Sequence, residues 1–162
     1  LTLFLQSLDA QSWLTGVIVS IQAVIEIPMM IAAPFLVKRF PKRWLILVGG
    51  AVLPVRWLLF FFLEQPTWMI PLQLLHGVSV ISFFVVAVSY IDQLVPSKWR
   101  ATGQALYSTA LMGIGSGLGV YFAGAVIEWQ GVRWIWLLSL VAGLIGLGLL
   151  ILEFRINQKA KL

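Results

Sequence analysis

Residues 14–37, 44–63, 68–93, 101–127 and 132–154 are long apolar stretches, each with no more than two ionisable side chains. No other feature constrains the fold as strongly. A run of about 20 apolar residues is long enough to cross a bilayer as a helix, whereas helices in soluble cores are shorter. Residues 1–8 read as the end of a further helix of this kind, whose beginning lies before Leu1. The expected fold class is all-α: a polytopic membrane helical bundle with five complete transmembrane helices and the end of a sixth. The connections 38–43, 64–67, 94–100 and 128–131 are short, and no linker or low-complexity segment divides the chain. One domain is expected over 1–162. The chain starts at Leu1 without a signal-peptide pattern, so it is expected to be part of a larger protein.

Composition agrees. Charged residues make up 10% of the chain, against about 25% in a soluble domain. The absence of cysteine excludes disulfides, thiolate metal sites and cysteine nucleophiles. No metal centre and no cofactor is expected. A net charge of +5 would suggest a nucleic-acid partner in a soluble protein. Here the basic residues sit in short connections, where they report membrane orientation instead, and no nucleic acid is expected.

Lys38, Arg39, Lys42 and Arg43 share one connection, Lys98 and Arg100 lie two connections later, and Arg155, Lys159 and Lys161 follow the last stretch. If every stretch crosses, all these places fall on one side, with nine of the eleven basic residues. That side is expected to be cytoplasmic, with the C-terminus inside. The other side carries Asp9, Glu64 and Glu128, with Arg133 as its one basic residue. Trp13, Trp44, Trp68, Trp99, Trp129 and Trp134 lie near stretch ends, as an interfacial aromatic belt requires, while Trp57 lies deep.

Glu26, Arg56 and His76 are the ionisable residues well inside the stretches. A charge at the bilayer centre costs about 2.5–3.5 kcal/mol on insertion scales, so such residues face a bundle interior or a watery cavity. At 1.5 Å per residue, Glu26 is about 18 Å from the outer end of its helix, and Arg56 a similar distance from the opposite end of the next. His76 is about 12 Å from the outer end of the third. Glu26 is the candidate proton carrier. Arg56 stays charged and can pair with Glu26 or hold an anionic solute. Histidine titrates near neutrality or hydrogen-bonds a solute. The bland alternative is a Glu26–Arg56 ion pair that only fixes helix packing.

Gln22 lies one turn before Glu26 on the same face. Gln73, His76 and Ser79 share a face of the third stretch, and Gln104, Tyr107 and Ser108 share one at the start of the fourth. Together they suggest a polar cavity approached by several helices; singly, each suits interhelical hydrogen bonding. Pro28, Pro34 and Pro54 imply bends or local unwinding near Glu26 and Arg56. The pairs Gly113/Gly117 and Gly115/Gly119 predict close helix contact along the fourth stretch. They are not a dinucleotide fingerprint, because positions 118 and 120 are leucine and valine. Ser116 and His76 lie at different predicted depths, which argues against an intramembrane serine protease; no enzymatic function is expected.

With these residues in view, the whole chain resembles the C-terminal six-helix half of a major facilitator superfamily transporter. The segment Glu26-Ile-Pro-Met-Met-Ile-Ala-Ala-Pro34 leads into the basic turn Lys38-Arg39-Phe-Pro-Lys42-Arg43. That turn is similar to a degenerate copy of the superfamily motif G-x-x-x-D-R-x-G-R-K, with Pro34, Lys38 and Pro41 in place of its glycine, aspartate and second glycine. Val55-Arg56-Trp57-Leu58, Leu72-Gln73-Leu74-Leu75-His76-Gly77 and the run from Pro96 to Tyr107 resemble the branch of phenylpropionate permeases and nucleoside–proton symporters. Arg56 and His76 are also similar to an arginine–histidine pair of lactose permease, and the Glu26-Ile-Pro28 segment resembles sugar efflux transporters. Lactose permease has a carboxylate one turn after its histidine; the position here is Ser79.

The resemblance implies helices seven to twelve of a twelve-helix fold in the bacterial inner membrane. A missing N-terminal half would form the other wall of a central cavity, and the partners would be the bilayer, a small organic solute and protons. The implied function is secondary active transport, read as proton-coupled symport, with Glu26, Arg56, His76, Gln22, Gln73, Gln104 and Tyr107 along the solute and proton pathway. The alternatives are proton-driven sugar or drug efflux and a non-transporting membrane scaffold.

Overall fold

The structure, a computed structural model, describes residues 1–159. Among them there is no strand. A short α1 (Thr2–Gln6) is followed by α2 (Ser12–Arg39), α3 (Lys42–Phe61), α4 (Pro66–Leu94), α5 (Ser97–Gln130) and α6 (Trp134–Lys159). The last five are long and apolar enough to cross a membrane, which makes this an integral membrane protein with the helical-bundle fold. Each expected stretch falls on one of these helices. Arg155 and Lys159 lie on α6; Lys161 lies outside the described residues.

At the basic end the helices run further than the apolar stretches. Lys38 and Arg39 form the last turn of α2 and Lys42 and Arg43 the first turn of α3, so the expected loop 38–43 shrinks to Phe40 and Pro41. Hydropathy marks where lipid ends, whereas backbone hydrogen bonding carries a helix past that point. Pro41 starts α3 because its carbonyl accepts from Trp44 and Leu45 while its missing N–H would have had no acceptor. At the other end, Gly131 reverses the chain between α5 and α6 at φ 94°, a conformation that side chains resist.

α3 packs between α4 and α6, and α2 packs on α4. Glycine sets three of these approaches. A Cβ at Gly49 of α3 would collide with Ser82 of α4, one at Gly77 of α4 would lie 2.7 Å from Met29 of α2, and one at Gly143 of α6 would lie 2.5 Å from Trp57 of α3. Small residues let apolar helices approach closely where lipid supplies no hydrophobic drive. The glycines expected to serve this purpose meet no neighbouring helix among the described residues. Gly117, Gly119 and Gly124 of α5 have nothing within 4 Å of a Cβ, and Gly113 and Gly115 meet only atoms of their own helix. Spacing identifies a surface that permits contact, but helix rotation decides whether a neighbour of the same chain meets it. α5 touches the rest of the described chain mainly through α4, near its Ser97 end, and through α6.

Local unwinding at the prolines is also corrected. α2 and α3 run as α-helix through Pro28, Pro34 and Pro54. Each proline removes one hydrogen bond, which the flanking bonds of a long helix in lipid tolerate. The departures from α geometry lie elsewhere, at the π-helical segments Ile81–Val86 in α4 and Thr109–Gly115 in α5.

Two buried apolar clusters frame the interior. One joins Phe4, Leu5, Ile18, Phe60 and Met69; the other joins Ala33, Leu45, Ile46, Val86 and Phe154 at the basic end. The level between them is where Glu26, Arg56 and His76 sit on their helices.

Candidate functional site

Three helices bring one ionisable side chain each to this level. Glu26 is on α2 with Gln22 one turn away, Arg56 is on α3, and His76 is on α4 with Gln73 one turn away. Gly77 follows His76 directly, and its missing side chain lets α2 reach α4 through Met29 and Ile25. That approach places Glu26 Oε1 3.0 Å from His76 Nε2. On the other side, Arg56 Nη1 lies 3.1 Å from His76 Nδ1, and Arg56 Nη2 donates to Gln73 Oε1 at 2.7 Å. The result is a continuous chain, Glu26–His76–Arg56–Gln73, across three helices.

The chain fixes proton positions. A guanidinium only donates, so His76 Nδ1 accepts from Arg56 and carries no hydrogen. The imidazole hydrogen is therefore on Nε2 and is given to Glu26. A second imidazole proton would have to sit on Nδ1, donor against donor, 3.1 Å from a cation. The arrangement holds a neutral imidazole between a carboxylate and a guanidinium. The Gln22 amide is 3.2 Å from the same Nε2 and matches it when its oxygen, not its nitrogen, faces the ring.

Burial divides the site. Arg56 is 7% exposed and Gln73 0%. Arg56 also lies over the Phe60 ring, 4.9 Å from its centroid, and cation–π contacts of this kind contribute about 2 kcal/mol when desolvated. Arg56 Nε and Gln73 Nε2 are buried with no partner among the described residues. By contrast the side chains of His76 and Glu26 are 17% and 37% exposed. The accessible face therefore offers a carboxylate, an imidazole edge and the Gln22 amide, with the cation behind them. The expected direct pairing of Glu26 with Arg56 is not what forms, because His76 stands between them.

Gln104 and Tyr107 are not part of this chain. Gln104 Nε2 donates to Asp92 Oδ1 at 2.8 Å, and the Tyr107 hydroxyl donates to the Phe83 carbonyl at 2.6 Å. Both bonds tie α5 to α4 towards the basic end, and Phe83 belongs to a π-helical segment, where the displaced ladder leaves carbonyls to be satisfied from outside. Ser79 is buried and bonds back to the Leu75 carbonyl. Asp92 and Ser82, whose hydroxyl reaches the Leu45 and Val78 carbonyls, were not singled out from the sequence. The signal for Asp92 was a lone carboxylate at a stretch end; Ser82 gave none.

Comparison with known proteins follows the same line. The model of the MFS_1 like family matches residues 1–138. YegT of Escherichia coli K12, named as a nucleoside transporter, is 32% identical over 108 residues, 64% of this chain and 25% of that protein. YwbF of Bacillus subtilis 168, named only as a transporter, is 26% identical over 91% of this chain and 37% of its own length. The xanthosine permease of Escherichia coli K12 is 24% identical over 72% of this chain and 29% of its own length. The chain thus spans well under half the length of these curated relatives. No solved structure matches it.

Proposed function

Since the chain belongs to the MFS_1 like family, within the major facilitator superfamily, we propose that it is the C-terminal six-helix half of a secondary transporter that couples solute uptake to protons. The observation that carries this reading is the Glu26–His76–Arg56 chain in the middle of the bundle. An ionisable cluster at that depth is costly, and such clusters mark solute, ion and proton pathways. In this reading the hydrogen bond from Arg56 disfavours a second proton on His76, and Glu26 serves as the proton carrier. Its partial exposure gives both proton and solute access to it.

The accessible face also selects the solute. A carboxylate and an amide suit a neutral molecule rich in hydroxyl or N–H donors, and disfavour a carboxylate-bearing one. A nucleoside fits that description, in keeping with relatives named as a nucleoside transporter and a xanthosine permease. Rocking of this half against a second half would alternate access to the site. In this reading the end rich in lysine and arginine faces the cytoplasm and the membrane is the bacterial inner one, in keeping with the bacterial relatives.

The test uses the protein with both halves present, reconstituted into liposomes that enclose a pH-sensitive dye. Nucleosides, sugars and aromatic acids are added in turn. Proton entry triggered by a nucleoside, and lost in Glu26→Gln, is the expected result. Entry triggered by an aromatic acid, or entry that survives Glu26→Gln in full, would contradict the reading.

A further inference from the structure

At the basic end, a groove of about 400 Å³ runs between the start of α3 and the end of α6. Two arginines from the two helices, Arg43 and Arg155, line it together, and no carboxylate does. Arg155 has no hydrogen-bond or ion-pair partner among the described residues and is exposed. Arg43 is held in place: its Nε donates to the Tyr90 hydroxyl at 3.1 Å, and its guanidinium lies over the Phe154 ring, 5.2 Å from the centroid. The nearby carboxylate, Glu153, lines a different cavity on the opposite side of Phe154.

The start of α3 adds to the positive field. Its N-cap is Pro41, which offers no side-chain acceptor, and its first turn holds Lys42 and Arg43 with no acidic residue. Helix N-termini carry a partial positive charge that carboxylates normally offset. Here basic residues stand in their place, and a second arginine comes from the neighbouring helix. Like charges gathered this way favour an anion. The rest of the groove says which one. Trp44 is 53% exposed beside the arginines, at the level where indoles meet headgroups, and Leu47 and Ile151 continue the groove as an apolar wall one turn deeper. A site with paired guanidiniums at the interface and a greasy wall leading into the hydrocarbon has the polarity of a phospholipid.

We propose that this groove seats an anionic phospholipid of the leaflet at the basic end. Its phosphate meets Arg43 and Arg155, its glycerol lies at Trp44, and an acyl chain runs along Leu47 and Ile151. The inference does not rest on transport, only on membrane insertion.

Native mass spectrometry of the detergent-solubilised protein, titrated with phosphatidylglycerol or phosphatidylcholine, tests it. The wild type is expected to retain phosphatidylglycerol over phosphatidylcholine. Each arginine removed is expected to weaken that retention about fivefold, as near-surface basic residues do. Arg43→Gln/Arg155→Gln should therefore lose the preference, whereas Lys38→Gln/Arg39→Gln, which removes equal charge from the same end, should keep it. Leu47→Trp fills the apolar wall without touching a charge and should also weaken retention. Equal retention in the wild type and the arginine variant would overturn the proposal. So would an equal loss in the two double variants, which would mean a diffuse charge effect. If the arginine variant does not fold, unchanged retention in Leu47→Trp overturns it alone.

Discussion

His76 meets two groups with opposite requirements. Arg56 needs an acceptor and Glu26 takes a donor, and only the neutral Nε2–H imidazole serves both. The chain has a single histidine, so the point is directly measurable. Nitrogen-15 spectra of histidine-labelled protein, with His76→Gln to assign the signals, should show Nδ1 without a proton and Nε2 with one. Arg56→Lys should fail to replace the arginine, because one ammonium cannot span His76 Nδ1 and Gln73 Oε1 in the same geometry. Losing one charge-assisted bond of about 1.5–3 kcal/mol should lower nucleoside-triggered proton entry about tenfold or more. Glu26, Arg56 and His76 were visible in the sequence because charges in apolar stretches are expensive, and Gln22 and Gln73 were visible by helical spacing from them. Their order was not. Which side chain stands in the middle depends on the rotations of three helices, and a one-dimensional pattern leaves those open. Gln104 and Tyr107 show the same limit: polar residues sharing a face can serve a contact near the helix end rather than the centre.

The elements are positioned by a few missing side chains. Gly77→Val would drive a Cβ into Met29, push α2 off α4 and stretch the Glu26–His76 bond. Overpacking of this kind costs about 1–3 kcal/mol, so thermal unfolding in detergent should shift down and proton entry should fall with it. Gly117→Ala on α5 meets nothing within 4 Å among the described residues, and unfolding of the chain should shift up by no more than about 1 kcal/mol, the helix-propensity gain of alanine, with no loss of packing. Tyr107→Phe removes the bond to the Phe83 carbonyl, worth about 0.6–1 kcal/mol inside a membrane, and should speed amide exchange at the Ser97 end of α5 without altering the His76 signals. Number, length and order of the long helices were legible because lipid imposes a length on apolar runs. The glycines that set helix approaches, Gly49, Gly77 and Gly143, carry no glycine repeat at four-residue spacing, whereas those of α5 do. A repeat shows only what a helix face permits.

At the scale of the whole molecule, the two apolar clusters close the ends of the bundle and leave a polar level between them. Among the described residues α5 buries no side chain fully, and α6 packs along α3 while most of its outer face stays open to lipid. The asymmetry of lysine and arginine makes a separate prediction. With no native cysteine in the chain, single cysteines at Lys98 and Glu64 can be labelled from either side of intact cells. Lys98→Cys should react only from the cytoplasm and Glu64→Cys only from outside; the reverse pattern would invert the orientation. The most direct test of proton handling is an infrared difference spectrum of the reconstituted protein between high and low pH, compared with that of Glu26→Gln. A protonated-carboxyl band that appears at low pH and is missing in the variant, without new imidazolium bands, is the predicted result. Imidazolium bands in the wild type, with carboxyl bands identical in the variant, would put the proton on His76 and contradict the assignment of Glu26.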